Sequence, residues 1–224
     1  MAVIKKLDLL QELKKRHPDG VIEATNEKSR NFVILLELGD KDFRTPEMIC
    51  FLKEFFNPAK NDIFYVVNLK SIDVLTPCSA RILVESASDI ALELKTPVLF
   101  TNVQSMAMES LESQACRFNP NIIVWAIDEE GKPHLVGQVP NKVKELLNLL
   151  QEKGSASASQ IASLQEGNTS KKTVGNLSVY LQKMFNAGLV IREKVTALER
   201  KDALAGWTYI YKTPPTILQQ LEQE

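Results

Sequence analysis

The run TVGNLSVYLQKMFNAGLVIREKVTALERKDALAGWTYIYK, residues 173–212, restricts what the chain can become more than any other stretch. Thr173 is a helix-capping residue type, since its hydroxyl can accept a hydrogen bond from a free first-turn amide. Val174, Leu177, Leu181 and Met184 recur at spacings of 3 and 4, which marks one buried helical stripe. Gly188 ends that helix, because glycine takes the left-handed conformation without a steric cost. LVIREKV then has strand character, ALERKDALAG is a charged loop, and WTYIYK alternates in polarity as a returning strand. Helix, glycine, strand, charged loop and strand is the order of a recognition helix followed by a β-wing.

The residues just upstream complete a unit of this kind. Asn141 is placed to cap a helix whose Val143, Leu146, Leu147 and Leu150 share one face and which ends at Gly154. SASASQIASL gives a short second helix with Ile161 and Leu164 inward, and QEGNTS supplies a turn. Three helices and a hairpin in this length make a winged helix-turn-helix. LSVYLQKMFNAGLVIREK resembles the third helix and first wing strand of bacterial and archaeal winged-helix transcription regulators, and GWTYIYKT resembles their second wing strand. The resemblance covers residues 141–213, and its most specific part is the AGLV step leading into a basic strand.

Charge distribution agrees with that resemblance. The whole chain has a net charge of −1, which by itself says nothing about nucleic acid. Residues 140–213 carry 11 Lys/Arg against 6 Asp/Glu, whereas residues 1–139 carry 16 against 20. The basic excess sits on the segment that resembles a DNA reader. The resemblance implies that the third helix turns Gly175, Asn176, Ser178, Val179 and Lys183 outward. Asn176 can pair with adenine through two hydrogen bonds and Ser178 can reach a base or a phosphate, while Gly175 and Val179 offer little polar readout. Lys171 and Lys172 precede the helix and suit phosphates. Arg192, Lys194, Arg200 and Lys201 would line the wing, where phosphate or minor-groove contact is usual.

The first 139 residues have a different pattern. NFVILLEL, DIFYVVNL, PVLF and NIIVWAI are nearly continuous apolar runs, as expected of strands covered on both faces. Helical patterns alternate with them. Thr45-Pro46 starts one with Met48, Ile49, Leu52 and Phe56 inward, and Thr76-Pro77 starts another with Ala80, Leu83, Ala87, Ile90 and Leu94. Both use a capping threonine followed by proline at the first helical position. A third helix spans Ser105 to Cys116, and VIEA and HLVGQ are expected as edge strands. The alternation predicts an α/β layer with a mixed, mainly parallel sheet. Val3, Ile4, Leu7, Leu10 and Leu13 stand at helical spacing, so residues 3–13 are expected as an amphipathic helix ending before Pro18-Asp19-Gly20. The boundary between the two domains is expected at Val139-Pro140. Residues 214–224 form a tail, in which Ile217, Leu218 and Leu221 have helical spacing and need a surface to pack on.

DIFYVVNLKSIDVLTPCSARILVES is similar to the core of STAS domains, the anti-sigma-factor-antagonist fold. There a buried strand leads through a short loop to a helix start reading Asp-Ser-Ser-Gly. Thr76 falls on the acid, Pro77 on the first serine, Cys78 on the second, phosphorylated serine, and Ser79 on the glycine. The resemblance implies a domain that senses a regulatory protein or a small ligand, with Thr76, Cys78 and Ser79 as its regulatory helix start. Cys78 cannot serve as a kinase substrate, so the pattern keeps its shape without that chemistry.

Catalysis has little support in these residues. His17 adjoins a turn and His134 lies in an edge strand, neither at ligand spacing from Cys, Asp or Glu. GxxxxGK[ST] and GxGxxG are both missing, so no phosphate-cradling loop is readable. Cys50, Cys78 and Cys116 form neither a disulfide framework nor a zinc pattern, and are expected as small buried apolar residues in a cytoplasmic protein. MAVIKKLDLL is broken by Lys5, Lys6 and Asp8 and is not expected as a signal peptide. No apolar run is long enough for a membrane span. The expectation is therefore a non-enzymatic, cofactor-free transcriptional regulator that binds double-stranded DNA as a homodimer, with the two amphipathic ends available for dimerisation. The alternative is a signalling adaptor whose winged helix docks protein.

Overall fold

The computed structural model describes residues 3–16, 21–25, 31–35, 54, 62–118, 121–166, 170–196 and 206–223. The chain divides into two compact units, Met1–Val139 and Pro140–Glu224.

In the first unit the apolar runs are strands. Strand β1 is Val3–Asp8, β2 Val21–Thr25, β3 Asn31–Leu35, β4 Asp62–Asn68, β5 Val74–Leu75, β6 Val98–Val103, β7 Ile123–Asp128 and β8 Pro133–Gly137. Five of them form one sheet in the order β1-β4-β6-β7-β8. The pairs β1–β4, β4–β6 and β6–β7 are parallel, and β8 closes the edge antiparallel to β7. A smaller sheet has the order β2-β3-β5. In β4 the successive residues Phe64, Tyr65, Val66 and Val67 are all buried, so this strand is covered on both faces. That is why DIFYVVNL shows no alternation. Helices α2, Pro77–Leu94, and α3, Ser105–Phe118, connect the parallel strands and pack on each other.

The amino-terminal stretch differs from its expectation. Residues Val3–Asp8 are a strand, and only Leu9–Arg16 are helical (α1). The strand pairs along β4 from Ile4 opposite Phe64 to Asp8 opposite Asn68. Asp8 then starts the helix, its Oδ1 accepting the Gln11 amide at 3.0 Å. Leu7, Leu9, Leu10 and Leu13 are buried in the core of their own unit. The helix expected from Thr45-Pro46, with Cys50, lies outside the described residues, as do His17 and the Pro18-Asp19-Gly20 turn.

The second unit contains α4, Asn141–Lys153, α5, Ala158–Glu166, α6, Lys171–Asn186, the strands β9, Ile191–Thr196, and β10, Trp207–Lys212, and α7, Pro214–Gln223. The strands pair antiparallel, from Lys212 opposite Ile191 to Trp207 opposite Thr196. Ala156 bridges to Tyr211 on the other side of β10, through two backbone hydrogen bonds of 3.0 and 3.1 Å.

Helix starts fall a few residues from the expected places. Pro140 rather than Asn141 is the cap position of α4. Ser170 rather than Thr173 caps α6, with its Oγ accepting the Thr173 amide at 3.2 Å. Helix α5 starts with a reciprocal pair: the Gln160 amide donates to Ser157 Oγ at 3.3 Å, and the Ser157 amide donates to Gln160 Oε1 at 2.9 Å. This is a capping box. Leu164, expected inward, is 52% exposed, whereas Ile161 is buried.

The end of α6 is a Schellman motif. The Leu189 amide donates to Met184 O at 2.9 Å and the Gly188 amide to Phe185 O at 3.0 Å. Gly188 has φ +67°, so the glycine is required there and turns the chain into β9. In α7, Ile217 and Leu218 are buried and Leu221 is exposed. Both amphipathic ends therefore bury apolar residues already, which removes the reason for assigning them to a dimer contact. Among the described residues, no helix is long and apolar enough to cross a membrane.

Candidate nucleic-acid interface

Helix α6 has two opposite stripes. Leu177, Leu181 and Met184 are buried. Lys172, Asn176, Val179 and Lys183, at spacings of 4, 3 and 4, stand on the opposite side and are all exposed. Gly175, Tyr180 and Lys171 flank them, also exposed. The 16 residues of α6 include three lysines and no acid. Two of those lysines, Lys171 and Lys172, stand in the first turn, at the positive end of the helix dipole, where a cation is unfavourable. Among the described residues, none of the three lysines pairs with an acid. Ser178 is half-buried, and its hydroxyl donates to Val174 O at 2.9 Å, so it is turned onto its own helix.

The expected wing residues have separate fates. Arg192 lies between aromatic rings, its guanidinium carbon 4.0 Å from the Phe185 centroid and 4.4 Å from the Tyr209 centroid. Its Nη1 donates to Gln182 Oε1. Burial pushes the Tyr211 hydroxyl above its ordinary pKa, although the nearby Arg192 charge works against this. Arg192 thus ties the hairpin to α6, rather than standing out in solvent as a free phosphate contact. Lys194 is exposed, with Nζ 4.6 Å from the Trp207 ring centroid. Trp207, Tyr209 and Tyr211 run down one face of β10 as an edge-to-face ladder, at 5.1 and 6.4 Å between centroids. Arg200 and Lys201 lie outside the described residues.

In the first unit, Thr76 caps α2. Its Oγ1 accepts the Ser79 amide at 3.3 Å and donates to Ser79 Oγ at 3.0 Å. Ser79 is 4% exposed, which leaves Pro77 and Cys78 as the surface of this helix start. Thr76→Ala is expected to lower stability by about 1 kcal/mol, read from a denaturant melt. Cys78 and Cys116 are exposed free thiols, in contrast to the buried positions expected of them.

One arrangement in the first unit went unseen in the sequence. Across the β7–β8 turn, His134 Nε2 meets Asp128 Oδ2 at 2.8 Å. Asp128 Oδ1 also accepts the amides of Lys132 at 2.8 Å and Glu130 at 3.0 Å. Burial pushes the Asp128 carboxyl up, but the His134 ring and these two amides outweigh it and hold the group below its ordinary value. The pair lines an open cleft of ≈ 450 Å³ together with Glu109, Glu112 and Glu129. Among the described residues, no group of three His, Cys, Asp or Glu is arranged to hold a metal ion. In sequence, residues 129–133 read EEGKP, a turn-forming run, and a tight turn brings residues six apart to face each other.

No family model matches the chain, no curated protein matches it, and no solved structure matches it.

Proposed function

We propose that the second unit is a winged helix that binds double-stranded DNA, as the reading half of a transcriptional regulator whose STAS-like first unit senses a signal or a partner. The observation that carries this is the charge on α6. Lys171 and Lys172 occupy the positive end of the helix, with no acid in its first turn and none paired with them among the described residues. A helix start of this kind attracts anions through its free amides as well as its side chains. A phosphate backbone meets both demands at once. The order of α4, α5, α6 and the β9–β10 hairpin is the order a winged helix requires. Lys183 and Lys194 extend the basic surface beyond the first turn.

The test is a salt titration of binding to a random-sequence duplex. With Lys171, Lys172, Lys183 and Lys194 on phosphates, log K is expected to fall with a slope of roughly −4 against log salt. A second reading, protein docking, draws on the exposed Val179, Tyr180 and Trp207. Lack of duplex binding at low salt would leave that reading in place of DNA.

A further inference from the structure

The outward centre of α6 has a composition that phosphate binding does not explain. Gly175 stands inside the helix, where glycine is the weakest helix former after proline. A Cβ built on it meets nothing within 4 Å, so no neighbour among the described residues requires a glycine. Its backbone is helical, so no unusual dihedral requires it either. Beside it Asn176 is exposed, and one turn on Val179 is 56% exposed at the middle of the stripe. An unneeded glycine, a bare carboxamide and a solvent-facing valine, bracketed by Lys172 and Lys183, together describe a surface made to touch something outside the chain.

We infer that Gly175, Asn176 and Val179 are the base-reading centre of α6, specific for a major-groove site with an adenine next to a thymine. This rests on the DNA-binding reading above. The Asn176 carboxamide matches the acceptor and donor pair that adenine presents, and the Val179 methyls match the thymine C5-methyl. Gly175 lets the helix backbone come closer to the groove than a side chain there would allow. Lys172 and Lys183, on either side of the centre, hold the helix to the phosphates and set its register.

The experiment is selection of bound duplexes from a random pool, followed by affinity measurements on the selected site with variants of the full chain. Asn176→Ala is expected to reduce the preference for adenine over guanine by about fivefold or more. Replacing the selected thymine by uracil removes only the C5-methyl; it is expected to weaken the native protein about threefold and to leave Val179→Ala unaffected. Gly175→Ala is expected to weaken binding while raising the melting temperature by about 4 °C, a combination that a purely structural glycine does not give. An adenine preference that survives Asn176→Ala, or a uracil penalty that survives Val179→Ala, overturns the inference while salt-dependent duplex binding stands. A protein that binds no duplex at low salt overturns both.

Discussion

Replacing Lys171, Lys172 and Lys183 together by alanine is expected to lower duplex affinity by roughly 500-fold at about 0.1 M salt. Each neutralised phosphate changes affinity by about 0.9 decade per decade of salt, so at about 0.1 M each contact contributes close to eightfold relative to 1 M. Three such contacts multiply to the stated factor. The slope against log salt should fall from roughly −4 to roughly −1, which leaves Lys194 as the remaining contact. Stability should not fall with it. The three side chains are exposed, and removing two cations from the positive end of α6 adds a few tenths of a kcal/mol if it does anything. A thermal melt therefore accompanies the binding curve. An affinity within about threefold of the native protein would take these lysines out of the interface.

Gly137→Ala is expected to lower the stability of the first unit by about 3 kcal/mol or more, from backbone strain and overlap together. Gly137 ends β8 opposite Ile123 and has φ +115°, a conformation that side chains rarely adopt. A Cβ there would lie 2.1 Å from Ile122 O. That oxygen belongs to the backbone beside a buried strand, so it cannot swing away as a side chain could. The edge strand must either leave β7 or push it inward. Either movement disturbs Val136 and Val124, which face each other across the pair and are both buried. Thermal and denaturant melts read the loss. A change below about 1 kcal/mol would mean that the carboxyl end of β8 detaches without consequence.

The α/β character of the first unit was readable because its strands are buried on both faces and its helix at Thr76-Pro77 carries its own start signal. The strand Val3–Asp8 was not. Its apolar residues continue into α1 at spacings of 3 and 4, so a local window reads one helix across the joint. What decides the matter is a partner strand about sixty residues away, and pairing along β4 outweighs local propensity. Helix starts shifted for a milder reason. Ser170 and Thr173 are both competent caps, and the chain uses the earlier one, which places Lys171 and Lys172 inside α6 rather than before it. The Ser157–Gln160 box is legible in sequence as Ser-x-x-Gln.

The candidate site was legible in its exposed residues and not in its joined ones. Asn176, Val179 and Lys183 follow from helical spacing alone once the buried stripe is known. Arg192 does not, because its surroundings come from α6 and from both strands of the hairpin. In sequence it is one more cation on a basic strand. Ser178 is similar: spacing puts it near the outward face, but a helical serine can satisfy its hydroxyl on the carbonyl four residues back, and this one does.

The joint at Arg192 has a mechanical consequence. One flat cation fills the gap between Phe185 on the helix and Tyr209 on the hairpin, and is held by Gln182 as well. Helix and hairpin are thus clamped into a single jaw of fixed gauge before any partner arrives. A partner that spans both parts has to match that gauge, and Arg192 itself has little side-chain freedom left to lose when it does. Lysine at this position would keep the positive charge but lose the flat faces that fill the gap, so the jaw would loosen while the charge count stayed the same.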